Sequence, residues 1–370
     1  MIELQETDGF SFEVEGSELL SALNKVNSIA GADKVTDAER VFVMIASGKK
    51  LYVLSYTPDT FCYVRVKAKV KGDGFFGFDM NVVSRTLKGR KDLSVVIGKE
   101  AVFKSGRYNV SLKIYDVPGN ARTAIENYLR VTKTEKMSSV DMGKIRSAIK
   151  LVDIQDIYAG GKNCCYMTIR KGKLMVSSYD QFHFVVVKET VEYPDTQVAF
   201  YSTTFRLLDK FIGDSDVSLY VGRHMRIESE DFVVCLPPQQ VEQSQFSMIS
   251  NLLAEQPEAE ATFELNSAAV KALHNISGLL EKDDRLDITV SDGRVDLSIN
   301  SAKGSIKDSY KCKTSGEEVK FTLDPRLLLD LHRKLTLPAK INLNGVVKGA
   351  SSLFTAKQDN IQLGGSYYVN

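Results

Sequence analysis

The chain has 370 residues, 43% of them hydrophobic and 26% charged, and its 48 Lys and Arg nearly balance 47 Asp and Glu, for a net charge of +1. That length accommodates two or three domains with cores of their own. No apolar run approaches the roughly 20 residues that span a bilayer, so a helical membrane protein is excluded and no membrane partner is expected. The start, Met1-Ile-Glu-Leu-Gln-Glu, lacks the basic and apolar blocks of a secretory signal. Cys62, Cys164, Cys165, Cys235 and Cys312 are odd in number and show no CxxC spacing, which points to free thiols in a reducing, cytoplasmic setting.

In chain order, apolar residues at helical spacing first begin near Ser17, the expected N-cap, with Leu19, Leu23, Val26 and Ala30 on one face. Alternating β-rich segments follow at Val41–Ile45 and Phe61–Val66, separated by a turn at Ser47-Gly48. A second helical pattern begins near Met80, then a strand at Asn109–Ile114; Pro118-Gly-Asn120 reads as a linker. The third pattern begins near Ser139, with Ile145, Ile149 and Val152, and the fourth near Thr203. The Gln/Glu/Ser-rich stretch from Glu242 to Glu260 reads as a second linker. A fifth helix is expected near Asn266. The sixth starts at Asp324, an N-cap followed by Pro325 at the first helical position, with Leu328, Leu331 and Leu335 on its face.

These elements repeat. Gly48-Lys-Lys-Leu-Tyr-Val-Leu-Ser-Tyr56, Gly172-Lys-Leu-Met-Val-Ser-Ser-Tyr179 and Gly293-Arg-Val-Asp-Leu-Ser-Ile299 recur at a period of about 120 residues. A second marker, Asp92–Gly98, Asp216–Gly222 and Ile341–Gly345, keeps the same period. Two independent markers with one period predict three copies of a domain, at 1–121, 128–242 and 259–370. Each copy halves into two units of strand, helix and short antiparallel meander, an α+β chain.

Charge follows the helices. The windows 17–30, 80–91, 139–153, 203–212, 266–282 and 324–335 hold 15 basic and 7 acidic residues, which leaves the rest of the chain acidic. Among them, Lys25, Arg85, Lys88, Arg90, Lys91, Lys144, Arg146, Lys150, Arg206, Lys210, Lys271, Arg333 and Lys334 are the candidate phosphate contacts, with Lys34 just beyond the first window. Helix faces carry Lys and Arg for solubility alone, but recurrence across a repeat array aligns equivalent faces into one positive surface. Such a surface suits the phosphates of a nucleic acid. Few aromatics interleave with these cations, so single-strand stacking is not indicated.

Motifs that resemble catalytic or cofactor sites fail on context. Gly72-Asp-Gly-Phe-Phe-Gly77 matches GxGxxG but connects β-rich segments, with Phe78 expected to continue a strand and no βαβ unit around it. His183, His224, His274 and His332 lack metal-ligand spacing. Asp180 and His183 lie three apart, which on a strand puts them on opposite faces and prevents cooperation as orienter and base. No catalytic residue, metal or cofactor is expected.

The threefold repeat, with two helices and paired meanders per copy, resembles the bacterial-type sliding clamp, the beta subunit of the replicative DNA polymerase. Lys104-Ser-Gly-Arg-Tyr-Asn-Val-Ser-Leu112 is similar to the edge strand that closes the family's first domain. Leu174-Met-Val-Ser-Ser-Tyr-Asp-Gln-Phe-His-Phe184 resembles its strand and T-D-G-H-R-L turn, and Phe246–Pro257 matches the placement of its F-P-D-Y-R linker. The resemblance implies a DNA-clamp fold and a homodimeric, head-to-tail ring that encircles double-stranded DNA without reading its sequence. It also implies a peptide pocket for the DNA polymerase and the clamp loader, lined by Tyr179, Phe182, His183, Phe184, Asn251, Leu252, Tyr368 and Val369. Dimer contacts carry over to Arg107, Val110 and Leu112 on the edge strand, and to Leu279 and Leu280 in the third domain.

Departures are visible in the same places. The family's turn Gly and Arg are Gln181 and His183, its linker Pro and Arg are Ser247 and Asn251, and its Met-Pro-Met ending is Ser366-Tyr-Tyr-Val-Asn370. They fit a divergent clamp of the kind a phage would encode, and put partner preference in question. The competing reading is a repeat-built structural or scaffolding protein, such as a virion component, that does not encircle DNA.

Overall fold

A computed structural model describes residues 2, 4, 9–30, 40–58, 60–130, 135–137, 139–153, 164–180, 183–201, 208, 217–221, 224–254, 257–278, 281 and 284–370. The chain forms two compact units, Met1–Gly143 with Thr203–Pro238, and Lys144–Ser202 with Gln239–Asn370. The expected α+β composition is present. Helices are α1 (Gly16–Ala30), α2 (Met80–Leu87), α3 (Gly119–Leu129), α4 (Ser139–Val152), α5 (Gln243–Ala254), α6 (Ser267–Ser277) and α7 (Pro325–Lys334), among antiparallel strands.

The first unit holds a five-stranded sheet running from Ala68–Lys71 through Phe10–Glu15, Asp92–Ile97 and Glu100–Ser105 to Tyr108–Lys113. It also holds an eight-stranded sheet, and the second unit is built on one of 13 strands. Helices cover these sheets with the apolar faces their periodicity predicts: Leu19, Leu23 and Val26 on α1, Ile145, Ile149 and Val152 on α4, and Leu328 and Leu331 on α7 are buried. The repeat markers land on equivalent turns. Gly48-Lys49, Lys171-Gly172 and Asp292-Gly293 are the two-residue loops of three hairpins, closed by Ser47–Lys50, Arg170–Lys173 and Ser291–Arg294. Their left-handed backbone, φ 57° and 64°, 50° and 72°, and 69° at Gly293, is what such loops demand. The glycine takes the first loop position in copy one and the second in the others, so aligning on glycine misplaces the first copy by a residue.

Several expectations change. α1 starts at Gly16, not after a Ser17 cap. Gly16 N donates to Lys91 O at 2.5 Å, and a Cβ there would stand 2.4 Å from Arg90 O, so the backbones meet where only glycine fits. Ser17 then sits in the first turn and donates to the Glu15 carboxylate. Both expected linkers contain helices. Pro118-Gly-Asn120 opens α3, whose Ala121 and Ile125 are buried at i, i+4, and α5 lies within Glu242–Glu260. Phe78 does not extend the strand Gly74–Gly77; it lies just past its end, two residues before α2. The helix expected near Thr203 falls largely outside the described residues.

The meanders end in a recurring joint. Phe61–Val66 pairs antiparallel with Phe232–Leu236, and His183–Thr190 with Ile361–Val369. Each joint unites the third strand of a meander in one expected copy with the third strand of a meander in the next, so the sheets run on across the expected boundaries. Two strands of the same rank, Tyr108–Lys113 and Gly304–Lys311, end their sheets with no strand on the outer side among the described residues.

The second joint depends on small residues. Gly364 and Gly365 lie opposite Phe184 and His183. A Cβ on Gly364 would stand 2.5 Å from Phe354 O and 2.8 Å from the Phe184 ring. Gly364→Ala is expected to destabilise by about 1–3 kcal/mol through overpacking. Urea unfolding checks this against Gly98→Ala, whose new methyl would meet nothing within 4 Å.

Candidate functional site

The stretch Lys173–Tyr179 and the strand His183–Thr190 form a hairpin closed by the pair Tyr179–Phe184. Between them the chain reverses. Asp180 N donates to His183 O at 2.9 Å, His183 N donates to Asp180 Oδ1 at 2.9 Å, and His183 Nδ1 stands 2.9 Å from Asp180 Oδ2. The expectation that Asp180 and His183 face opposite ways is therefore overturned: they bracket a turn, and strand alternation does not apply. The contact creates no catalytic pair that a substrate could reach. His183 is buried, and the Ser177 and Ser178 hydroxyls on the preceding strand are buried with no hydrogen-bond partner among the described residues. The His183 ring and Asp330 of α7 line one small cavity of about 10 Å³.

Aromatic packing ties this turn to its surroundings. Tyr179 stacks on Tyr166, with centroids 5.0 Å apart and planes 11° apart, and Phe246 of α5 meets Tyr166 edge-on at 5.7 Å. Burial, reinforced by the neighbouring Tyr179, raises the Tyr166 phenol above its usual range. Phe184 and Val186 are core, with Tyr179, Met175 and Leu353 packed on them. Asn251 and Leu252 are exposed on α5. Val369 is buried and pairs with Phe321, while Tyr368 is 48% exposed opposite Thr322 and Ser351. Of the residues expected to form one pocket, Tyr179 and Phe184 meet in one cluster, Phe184 and Val369 are interior, and Leu252 and Tyr368 present surface. Phe182 lies outside the described residues.

Beside Tyr368 opens a cleft of about 360 Å³, lined also by Arg285, Thr322, Leu323, Asp324, Leu327, Ser351, Ser366 and Tyr367. Asp324 caps α7 by accepting from Arg326 N at 2.8 Å, and Arg285 approaches its carboxylate at 3.8 Å. Sequence reading assigned Asp324 its cap but not its place in a cleft. Arg285 reaches it only because Leu286–Ser291 pairs with Val319–Leu323, a long-range pairing that leaves no local signal.

The basic residues divide by environment. Lys25, Arg85, Lys88, Lys91, Lys150, Lys271 and Arg333 are exposed. Arg90 stands 3.7 Å over the Tyr108 ring, and Lys144 donates to Thr190 O at 2.6 Å. Arg146 is half-buried. Lys334 turns inward: its side chain is 7% exposed, pairs with Asp330 at 2.8 Å and donates to Asp153 O at 3.2 Å. Lys34, Arg206 and Lys210 lie outside the described residues, as do Leu279 and Leu280. Arg107 is exposed, while Val110 and Leu112 are half-buried on the edge strand.

Reactive chemistry finds little support. Burial pushes the Cys62 thiol up to about 12 and those of Cys164 and Cys235 up to about 11, so none is a thiolate at neutral pH. His274 and His332 approach edge-on at 6.2 Å, yet no group of three metal-ligating side chains occurs among the described residues. Among the described residues, no helix is long and apolar enough to cross a membrane.

No protein-family model and no curated protein matches this sequence. Solved structures do match. A DNA polymerase III beta subunit from Eubacterium rectale superposes with a TM-score of 0.78 at 16% identity, covering 97% of this chain and 99% of that one. The Bacillus subtilis DNA polymerase sliding clamp gives 0.78 at 12% identity, covering 97% and 98%. A Pseudomonas aeruginosa sliding clamp, bound to griselimycin, gives 0.77 at 12%, covering 97% and 99%. The chain thus has the DNA-clamp fold along nearly its whole length.

Asp180→Ala removes the acceptor for His183 N and the carboxylate beside a buried ring. A loss of about 1–3 kcal/mol is expected, with hydrogen exchange accelerating first at Tyr179–Phe184; unchanged exchange there would show that the turn does not depend on this carboxylate.

Proposed function

We propose that this chain is a sliding clamp, a non-enzymatic processivity factor whose copies close head-to-tail into a homodimeric ring around duplex DNA and tether a replicative DNA polymerase. The observation that carries this reading is the recurring joint. Two copies of it are made within the chain, and the two strands that would make a third, Tyr108–Lys113 and Gly304–Lys311, are left at sheet edges. An exposed strand edge invites pairing, and a head-to-tail contact between such edges closes a ring when the rotation permits. The three-domain division at 1–121, 128–242 and 259–370 belongs to this proposal, as does ring closure through Arg107, Val110 and Leu112.

The exposed Lys25, Arg85, Lys88, Lys91, Lys150, Lys271 and Arg333 would contact phosphates without base readout, which leaves the ring free to slide. Tyr179, Leu252 and Tyr368, with the cleft beside Tyr368, form the candidate surface for a short apolar peptide from the polymerase or the clamp loader. Such a protein works in the cytoplasm of a bacterium or a phage-infected host, and needs no cofactor.

Topology is the test. Protein loaded on nicked circular DNA should remain bound and be released when the circle is linearised; equal loss from both forms would exclude encirclement. Replacing Lys88 and Lys91 with Glu should weaken DNA association uniformly across sequences and lower its logarithmic salt slope by about 2, if each side chain contacts one phosphate. Tyr368→Ala should cost about tenfold or more in affinity for a carboxyl-terminal peptide of the cognate polymerase, read by fluorescence anisotropy, with DNA association unchanged.

A further inference from the structure

The joint assigned to the contact between copies differs in charge from those the chain makes with itself. Where Phe61–Val66 meets Phe232–Leu236, Arg65 pairs with Glu230 at 2.8 Å and lies 3.6 Å from Asp231. Opposite charges close the end of that ladder. Where His183–Thr190 meets Ile361–Val369, the paired residues are mainly apolar side chains and glycines.

Both remaining edges are basic. Lys104–Lys113 carries Lys104, Arg107 and Lys113 with no carboxylate, and Arg90 adds its guanidinium over Tyr108. Lys303–Lys313 carries Lys303, Lys307, Lys311 and Lys313 against one carboxylate, Asp308. That carboxylate accepts from Ser309 N at 2.8 Å and from Asn275 at 3.5 Å. Other acids lie behind these edges: Glu100 is cross-strand from Lys113, Glu281 pairs with Lys303 at 3.6 Å, and Asp296 is held by Arg294 at 2.7 Å, which leaves Lys307, Lys311 and Lys313 as the main positive charge of the second edge. Paired strands run about 4.8 Å apart, so in any register these ammonium groups come within roughly a Debye length, about 10 Å at 0.1 M salt. Edge lysines are also a known means of discouraging strand pairing.

We propose that the joint between copies is electrostatically self-repelling: half-buried Val110, Leu112 and Ile306 favour closure while the lysine-rich edges oppose it. This inference rests on the ring reading above. Copies then associate weakly at low ionic strength and more tightly as ions screen the edges, the reverse of an interface closed by ion pairs. The ring opens at this joint first.

Sedimentation velocity of the full chain at about 20, 150 and 500 mM NaCl measures the effect. The dissociation constant should fall by about tenfold or more across that range. Salt also strengthens apolar association, so Lys307→Glu with Lys311→Glu is measured in parallel. That variant should associate more tightly than wild type at the lowest salt and lose the tightening. Lys113→Glu on the opposite edge should act in the same direction, and gives an independent reading if the double variant folds poorly. A dissociation constant that rises with salt, or charge-reversed variants that keep the wild-type profile, overturns the inference while leaving the ring reading in place. A chain that stays monomeric at every salt, up to about 100 µM where only associations near millimolar would escape, overturns the ring reading and this inference with it.

Discussion

Backbone pairing at sheet edges governs the construction of this chain. A strand that ends a meander presents a row of N–H and C=O groups, and those groups are satisfied best by another strand. The chain satisfies two such edges with strands distant in sequence, which is why its sheets grow to eight and 13 strands. It is also why its compact units cut across the sequence repeat: each joint lies inside one unit and ties together strands of two expected copies. Local composition follows from the same requirement. Gly364 and Gly365 keep one joint free of side chains where the Phe354 and Phe184 rings need the space, and Arg65 with Glu230 closes the end of the other.

Charge on the helices is organised by what lies beneath them. Apolar residues at i, i+3 and i+4 fix one face to the sheet, so cations elsewhere on the helix are left in solvent, as with Lys271 opposite Ala272 and Ile276. Lys334 shows the exception. It follows Asp330 by four residues, pairs with it at the buried edge of α7, and also donates to Asp153 O. Counting charges in a helical window therefore overstates the field a partner would meet. If the chain closes into a ring on DNA as proposed, modest exposed charges would suffice, because topology would provide retention and tight phosphate contacts would oppose movement.

Much of the fold was legible because repetition makes weak signals additive. No single helix start or hairpin glycine is decisive, but the Gly48, Gly172 and Gly293 turns and the segments Asp92–Gly98, Asp216–Gly222 and Ile341–Gly345 agree on one period. What was not legible depended on tertiary contact. α3 was hidden by Pro118-Gly-Asn120, turn formers that here cap and open a helix whose Ile125 is anchored in the core. α5 was hidden by the Gln, Glu and Ser residues that interrupt and flank it; the contact of Phe246 with Tyr166 secures it, and that contact joins residues far apart in sequence. Asp180 and His183 were misplaced because strand alternation was applied across a reversal. The cleft beside Tyr368 could not be foreseen at all, since it gathers residues from three separated strands and a helix cap.

Those misreadings bear on where a partner would dock. Asp180 N bonds His183 O, His183 N bonds the Asp180 carboxylate, the His183 ring is buried and Tyr179 is fixed by stacking, so this part of the candidate surface is largely interior. Exposure increases toward Leu252 and Tyr368. A peptide bound here would gain most from covering Tyr368, where a large ring already stands in solvent beside a cleft, and little from Phe184 or Val369, which have no surface left to bury. If the surface is a peptide site, its energetic centre is therefore displaced from the turn toward the carboxyl-terminal strand. The departures from the family's sequence at Gln181 and His183 would then matter less for affinity than the replacement of its ending by Ser366-Tyr-Tyr-Val-Asn370.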